Sequence, residues 1–436
     1  MELLNKGDFS LIIRLSVAVV SFLSLVDLGV SFIKKKPKIN LKDFGLASFL
    51  ILFATLIYFL IWKRDVPYPM QLNWDMYEHI TLANNIYAGK ISFLTSQISD
   101  TFTFNSYSPI FGILLSIPKI IFQKSLIGIY WWLEYWHYIL TALAAFLLAK
   151  KVFKNNLLSS MAAIISLLTF ESLMAYTTLF LIPQTLVALL TVLALIKIEE
   201  YKLRWLVFFV LVIFLMHYIV GAISALILIS VYLSKRLNLS TKILNLGIIG
   251  SILVILASIG MNLVGRWEIL AREEAKYFNF SLLEKAGFFL DWYGLISFSL
   301  ILLGCLKIVK NGTSDQKIIL ATAIFILAIS LAPFSYFLKF YVIGHYLLNI
   351  VIVAGVGVLL LNLPRFLKVI GVLFITSVFI VIFYTNQLAF KKPLFFRNFN
   401  TNTSPNEIEV GKWLSSYDNG ANALLISDPA LQYILE

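Results

Sequence analysis

Charged residues and cysteine are scarce in this sequence, and their scarcity excludes several classes of protein. Only 13% of the 436 residues are charged, about half the share in soluble domains, whereas 60% are hydrophobic. Such a chain cannot cover its surface with polar groups, so its solvent must be lipid. Cys305 is the only cysteine and lies in an apolar run, which excludes disulfide bonds and thiolate metal sites.

The basic residues do not form a soluble nucleic-acid-binding module, although the net charge is +12. They lie between apolar runs, in the pattern of cytoplasmic loops that orient a membrane protein. The clusters are Lys34 to Lys38, Lys150-Lys151, Lys235-Arg236, and Arg365 with Lys368. The N-terminus also lacks the pattern of a cleaved secretory leader, so the first apolar segment is expected to stay as an anchor.

The long apolar runs predict transmembrane helices, each of which needs roughly 20 residues. These spans are expected near 10–33, 44–62, 127–149, 157–175, 179–196, 242–264, 290–308, 317–334, 341–362 and 366–386. The longer stretch 204–234 is predicted to form two short helices that meet near His217. A pair places both basic ends, Arg204 and Lys235-Arg236, on one side of the membrane, whereas one long helix would not.

The apolar segment 108–122 decides the side on which the later loops lie. If it crossed the membrane, Lys150-Lys151 would face away from Lys34 to Lys38, so it is predicted not to cross. The predicted fold class is therefore an all-α polytopic membrane protein of about 12 transmembrane helices, with both termini outside. Residues 1–43 form an anchor helix and a basic loop, and 44–386 form the catalytic domain with external loop 63–126. Residues 387–436 begin a small external α/β domain that is expected to be truncated.

The external loop carries the most informative chemistry of the sequence. Residues from Trp74 to Gly89 predict an amphipathic helix that lies on the membrane. Asp75, Glu78 and His79 follow at i, i+3 and i+4, so they share one face of that helix. Two carboxylates and an imidazole so placed can bind a divalent cation or provide a catalytic base. The spacing fits equally well with two acids that cap the helix and a solvated histidine at the interface.

The same loop resembles the first external loop of the GT-C glycosyltransferases. The resemblance is carried by Trp74-Asp75-Met76-Tyr77-Glu78-His79, by Ala83-Asn84-Asn85-Ile86-Tyr87-Ala88-Gly89, and by Tyr107-Ser108-Pro109 at the start of an apolar run. That superfamily includes protein O-mannosyltransferases, aminoarabinose transferases and the catalytic subunit of oligosaccharyltransferase. The resemblance implies an inverting transfer of a sugar from a polyprenyl-phosphate donor to a lipid, glycan or protein acceptor. It also implies that Asp75 acts as base or metal ligand, on the external face of the cell membrane.

A requirement for a divalent cation, Mg²⁺ or Mn²⁺, is left open by the sequence. The metal-dependent branch of the superfamily carries an Asp-x-Asp-like pair in its second external loop. The matching stretch of this chain offers only Glu171. Asp75 and Glu171 are therefore the expected ligands if a cation is used, and no other cofactor is expected.

Five further residues are predicted to bind substrate. Tyr107 belongs to the resembling motif, and His217 lies where related enzymes often place a Lys or His near the lipid phosphate. Lys339 and His345 flank the outer start of a span, where a cation can hold a departing phosphate. Arg266 is a candidate phosphate contact in the charged stretch 265–289. The plainer interpretations are a buried, hydrogen-bonded His217, a snorkelling Lys339 and a charged surface helix around Arg266.

The alternative function is a polytopic transporter or flippase for a lipid-linked saccharide. Transporters place ionisable residues near the bilayer midplane and are built from two related halves. In this sequence most ionisable residues gather near the outer ends of the spans, and no internal repeat is evident. A polar midplane cavity that opens to both sides in turn would favour the transporter.

Overall fold

A computed structural model describes residues 41–59, 74–87, 109–169, 180–264, 282–331 and 338–391. Thirteen α-helices and one short 3-10 helix (Ile198–Glu200) make up its regular structure. The α-helices are α1 (Leu41–Ile57), α2 (Trp74–Tyr87), α3 (Pro109–Phe122), α4 (Leu126–Phe153), α5 (Asn156–Leu168), α6 (Pro183–Lys197), α7 (Leu203–Met216), α8 (Tyr218–Arg236), α9 (Thr241–Val264), α10 (Leu282–Asn311), α11 (Ser314–Leu331), α12 (Leu338–Leu360) and α13 (Arg365–Lys391).

Every apolar run predicted as a span beyond residue 40 overlaps one of these helices, or two in the case of 204–234. Helices satisfy their backbone hydrogen bonds internally, which lipid requires of any crossing segment. Six of the described helices are long and apolar enough to cross a membrane, and others are apolar but shorter. The total of twelve spans stays a prediction. The expected first span at 10–33 and residues 392–436 of the expected C-terminal α/β segment lie outside the described residues.

The predicted pair of short helices within 204–234 is confirmed. Helix α7 ends at Met216, His217 adopts an extended conformation, and α8 begins at Tyr218. A Cβ on Gly221 would overlap the backbone of Ile213, so only glycine lets the two helices lie this close at the turn. At the far end, Arg236 Nη2 lies 3.5 Å from the Tyr201 carbonyl oxygen, which brings both basic ends together.

One end of the bundle, here called the lysine end, is tied together by charged side chains. Lys235 of α8 pairs with Glu199 at 2.9 Å and with Asp315 at the start of α11. Lys151 of α4 lies 3.6 Å from Glu199 and donates to the carbonyl oxygens of Leu195 and Ile196. The pKa of Glu199 is lowered, chiefly because Lys235 donates a hydrogen bond to it. The predicted common side for Lys150-Lys151 and Lys235-Arg236 is thereby confirmed.

Helix α12 is the central helix of the described bundle and is buried on nearly all sides. Lipid provides little hydrophobic drive for helix association, so close packing of small residues carries much of it. Gly304 of α10 faces the backbone of Val351, and Gly355 of α12 faces the carbonyl of Leu300. A Cβ at either glycine would overlap those carbonyl oxygens. The two helices therefore pack in backbone contact along their C-terminal halves.

This contact predicts that Gly355→Ala destabilises the protein. The added methyl group must push α10 away, and overpacking of this kind lowers the free energy of unfolding by about 1–3 kcal/mol. Thermal unfolding in detergent measures the effect. Gly250→Ala is the matched control, since a Cβ on that helical glycine meets no atom within 4 Å, and it should be neutral or stabilising. Equal stability of the Gly355→Ala variant and the parent would contradict the proposed packing.

Candidate functional site

Helix α2 brings His79 into the protein interior. The predicted amphipathic helix is present with bounds Trp74–Tyr87, and it packs on α3 and α4. The His79 side chain is 2% exposed, and its ring meets the edge of Phe111 at a centroid distance of 5.0 Å. Burial lowers the pKa of His79 to about 3. His79 is therefore a neutral interior residue and not a solvated one.

Contacts near its C-terminal end hold α2 on α3. Lys119 Nζ donates to Asn84 Oδ1 at 2.7 Å and lies 4.4 Å from the centroid of the Tyr87 ring. Beneath them, Gly112 of α3 leaves room for the side chains of Ile86 and Leu82. The two helices thus form one unit at the end of the bundle opposite the lysine end.

His217 lies at the break between α7 and α8, and its ring is oriented by the backbone. Its Nδ1 atom accepts a hydrogen bond from the Val220 N–H at 3.2 Å, which caps α8. The residue is 8% exposed. The pKa of His217 is lowered to about 3, chiefly by burial and in part by the positive charge of Lys339. A neutral ring that accepts at Nδ1 carries its proton on Nε2, so Nε2–H is available as a hydrogen-bond donor.

Three of the predicted site residues therefore lie together. The charge of Lys339, and that of His79 when it is protonated, both lower the pKa of His217, so each of these two side chains lies within electrostatic reach of His217. We call this set, His79, His217 and Lys339, the histidine–lysine cluster, and its end of the bundle the histidine end. Asp75 and Glu78 lie in the first two turns of α2, just before His79. Their side chains are outside the described part, so their roles stay predictions.

His345 is placed deeper than Lys339, inside the bundle. It is 5% exposed and contacts Tyr293, Ser166 and Asn349. Its predicted role in binding substrate is untested. His345 is predicted to flank the start of the span, whereas its i, i+4 spacing from Asn349 in an apolar run indicates an interior polar contact.

Lys285, which sequence analysis did not single out, is also buried near the histidine end. It is 1% exposed at the end of the first turn of α10. Burial lowers the pKa of Lys285 to about 8. No periodic signal marks this residue, because α10 is apolar around much of its circumference.

The remaining predicted ligands lie outside the described residues. These are Tyr107, Glu171 and Arg266. Within the described ranges, no group of three or more His, Cys, Asp or Glu residues could hold a metal ion. The divalent cation predicted for Asp75 and Glu171 is untested, because neither side chain belongs to those ranges.

The described helices form a polytopic helical bundle with loop helices packed on one end. Three solved structures of the oligosaccharyltransferase from Archaeoglobus fulgidus share it, which confirms the predicted resemblance at the level of the fold. Sequence comparison matches no family model and no curated protein.

The three structures differ in what they contain. One is the enzyme, AglB, in complex with an inhibitory peptide and a dolichol-phosphate (TM-score 0.53, 14% identity, 91% of this chain and 60% of that one). The second is the apo form (TM-score 0.51, 13% identity, 90% of this chain and 59% of that one). The third is tethered to an acceptor peptide containing the NVT sequon (TM-score 0.50, 14% identity, 90% of this chain and 59% of that one). The present chain therefore spans about 60% of the length of these neighbours.

The buried His79 predicts a specific loss of stability in acid. The unfolded chain protonates this histidine near pH 6.5, whereas the folded protein does so only near pH 3. The contribution of the neutral His79 to the free energy of unfolding is therefore complete well above pH 6.5 and decreases as the pH falls through that value. At pH 5 the decrease should be about 2 kcal/mol. The measurement is thermal unfolding in detergent at pH 7.5 and pH 5.

His79→Gln is the informative variant for this prediction, because glutamine does not titrate. It should show a smaller difference in stability between the two pH values than the parent protein. Between pH 7.5 and 8.5 the two proteins should respond alike. If the stability difference between pH 7.5 and pH 5 is the same in His79→Gln as in the parent, His79 is already protonated in the folded protein at pH 5.

Proposed function

We propose that the protein is a membrane glycosyltransferase that moves a sugar from a polyprenyl-phosphate-linked donor to an acceptor, with inversion, on the external face of the cell membrane. The observation that carries this proposal is the histidine–lysine cluster next to the first turns of α2, which contain Asp75. The shared fold with oligosaccharyltransferase supports it, since one of those structures holds a dolichol-phosphate and another an acceptor peptide.

The cluster has the chemistry to receive a phosphate leaving group. His217 offers a neutral Nε2–H donor, and Lys339 offers a positive charge close to it. Charge-assisted hydrogen bonds to a phosphate oxygen are among the stronger polar contacts in proteins. Because the donors are held by helix ends before the substrate arrives, little reorganisation is needed as the negative charge develops. His79 supports the site as a packed, neutral residue.

Asp75 is the proposed base or metal ligand. An inverting transfer requires that the acceptor attacks one face of the sugar while the phosphate leaves from the other. A carboxylate on the acceptor side removes the acceptor proton. Carboxylate oxygens are also the ligands that Mg²⁺ prefers, so Asp75 and Glu171 form the proposed donor set for a divalent cation. Such a cation would supply positive charge for the leaving phosphate.

The orientation of the bundle supports the external location. The lysine end carries the basic clusters that are retained in the cytoplasm by the positive-inside rule. The histidine–lysine cluster lies at the opposite end. A transporter would have to open the lysine end, where Lys151, Glu199, Lys235 and Asp315 connect α4, α8, α11 and the short 3-10 helix. This network favours the transferase over the transporter.

The role of Asp75 is tested by Asp75→Asn. The amide cannot accept the acceptor proton, so transfer from a radiolabelled polyprenyl-phosphate sugar should fall by about 10²–10⁴-fold. Glu200→Gln is the control, since it makes the same chemical change in an i,i+3 ion pair with Lys197 at the lysine end. It should leave transfer unchanged. Turnover by the Asp75→Asn variant at the parental rate would remove Asp75 from the mechanism.

The role of Lys339 is tested by binding. Lys339→Met retains the apolar stem and removes the charge, so a short-chain polyprenyl phosphate should bind about ten- to hundredfold more weakly by titration calorimetry. Lys310→Met makes the same change on an exposed residue in the last turn of α10, at the lysine end of the bundle. This control variant should bind the phosphate as the parent protein does. If both variants bind the phosphate equally well, the cluster is not the phosphate site.

A further inference from the structure

Four polar residues form a junction inside the apolar bundle, here called the His345 junction. His345 of α12 lies with Nδ1 3.4 Å from the Tyr293 hydroxyl of α10. Its Nε2 lies 3.2 Å from the carbonyl oxygen of Ser166, at the end of α5. Asn349, one turn along α12, places its amide 3.3 Å from the same Nε2. All four residues are less than 6% exposed.

The contacts determine the state of the imidazole. A carbonyl oxygen only accepts hydrogen bonds, so Nε2 must carry a proton and donate it to Ser166. A second proton would place an unpaired positive charge inside the bundle, which is strongly unfavourable. Nδ1 is therefore the acceptor, and the Tyr293 hydroxyl donates to it. The Asn349 Oδ1 atom, which has no hydrogen-bond partner among the described residues, is satisfied when the amide is turned so that this oxygen faces Nε2–H.

The junction fixes α10 and α12 in one register. One turn above it, the rings of Phe289 and Tyr341 pack at a centroid distance of 6.2 Å. The two contacting pairs have the same sequence offset, which means that α10 and α12 run parallel in one register. The pairs are Phe289 with Tyr341 and Tyr293 with His345. Lys339 lies in the first turn of α12, just beyond these contacts.

We propose that His345 is a positioning residue: its Nε2–H donates to α5 and its Nδ1 accepts from α10, so its ring joins both helices to α12 and holds the first turn of α12 where Lys339 meets the substrate phosphate. The inference deepens the proposed function and rests on it. His345 itself does not touch substrate, because its ring nitrogens are occupied by protein groups. It acts through Lys339, which makes its effect on binding dependent on that lysine.

The test combines two variants of His345 with Lys339→Met. His345→Leu should weaken binding of a short-chain polyprenyl phosphate about tenfold and lower the unfolding temperature. His345→Gln should restore both, because the glutamine amide can donate to Ser166 from nearly the position of Nε2. In the Lys339→Met background, His345→Leu should lower the unfolding temperature again but change binding no further. An equal loss of binding in both backgrounds would overturn the proposal.

A second measurement does not depend on the glycosyltransferase function. Nitrogen-15 NMR of histidine-labelled protein should show His345 as the neutral Nε2–H form, and Tyr293→Phe should shift the Nδ1 signal. A doubly protonated or Nδ1–H ring would overturn the proposal, as would loss of binding in a stable His345→Gln variant. If the parent protein neither binds the phosphate nor transfers sugar, the proposed function has failed, and the NMR result still decides whether the junction exists.

Discussion

The absence of water around the helices is the constraint on which this structure depends. In lipid, each backbone amide must find its partner within its own helix, so the apolar runs become helices. Apolar side chains gain little by leaving lipid for protein, so helix association requires backbone contact or hydrogen bonding. Both are found on α12. Gly355 allows α10 to approach its backbone, and His345 joins it to α5 and α10.

The same constraint explains the different chemistry of the two ends of the bundle. At the lysine end, carboxylates and lysines pair with one another and connect four elements. At the histidine end, burial holds His79 and His217 neutral while Lys339 remains the cation of the cluster. In the proposed function, the neutral Nε2–H donor of His217 and the cation of Lys339 receive a phosphate oxygen. The lysine end thus supports the fold, and the histidine end is the proposed anion site.

Sequence patterns predicted the helices well because length and hydrophobicity determine them almost alone. They also predicted the break at His217, since Arg204 and Lys235-Arg236 could be placed on one side only by a pair of helices. Patterns could not predict that His79 is buried, and only the i, i+4 spacing of His345 and Asn349 indicates that His345 faces the interior. An apolar helix in lipid has no polar side to contrast with, so periodicity does not show which face meets a neighbour. The network of Lys151, Glu199, Lys235 and Asp315 joins residues up to 164 positions apart and depends on the tertiary fold.

The central claim is that the histidine–lysine cluster receives the phosphate of a lipid carrier. A structure of the protein with a polyprenyl phosphate bound tests it most directly. A phosphate oxygen should lie at hydrogen-bond distance, about 2.7–3.2 Å, from His217 Nε2 or Lys339 Nζ, at the end of the bundle that contains α2. A phosphate bound at the lysine end, beside Lys151 and Lys235, would contradict it.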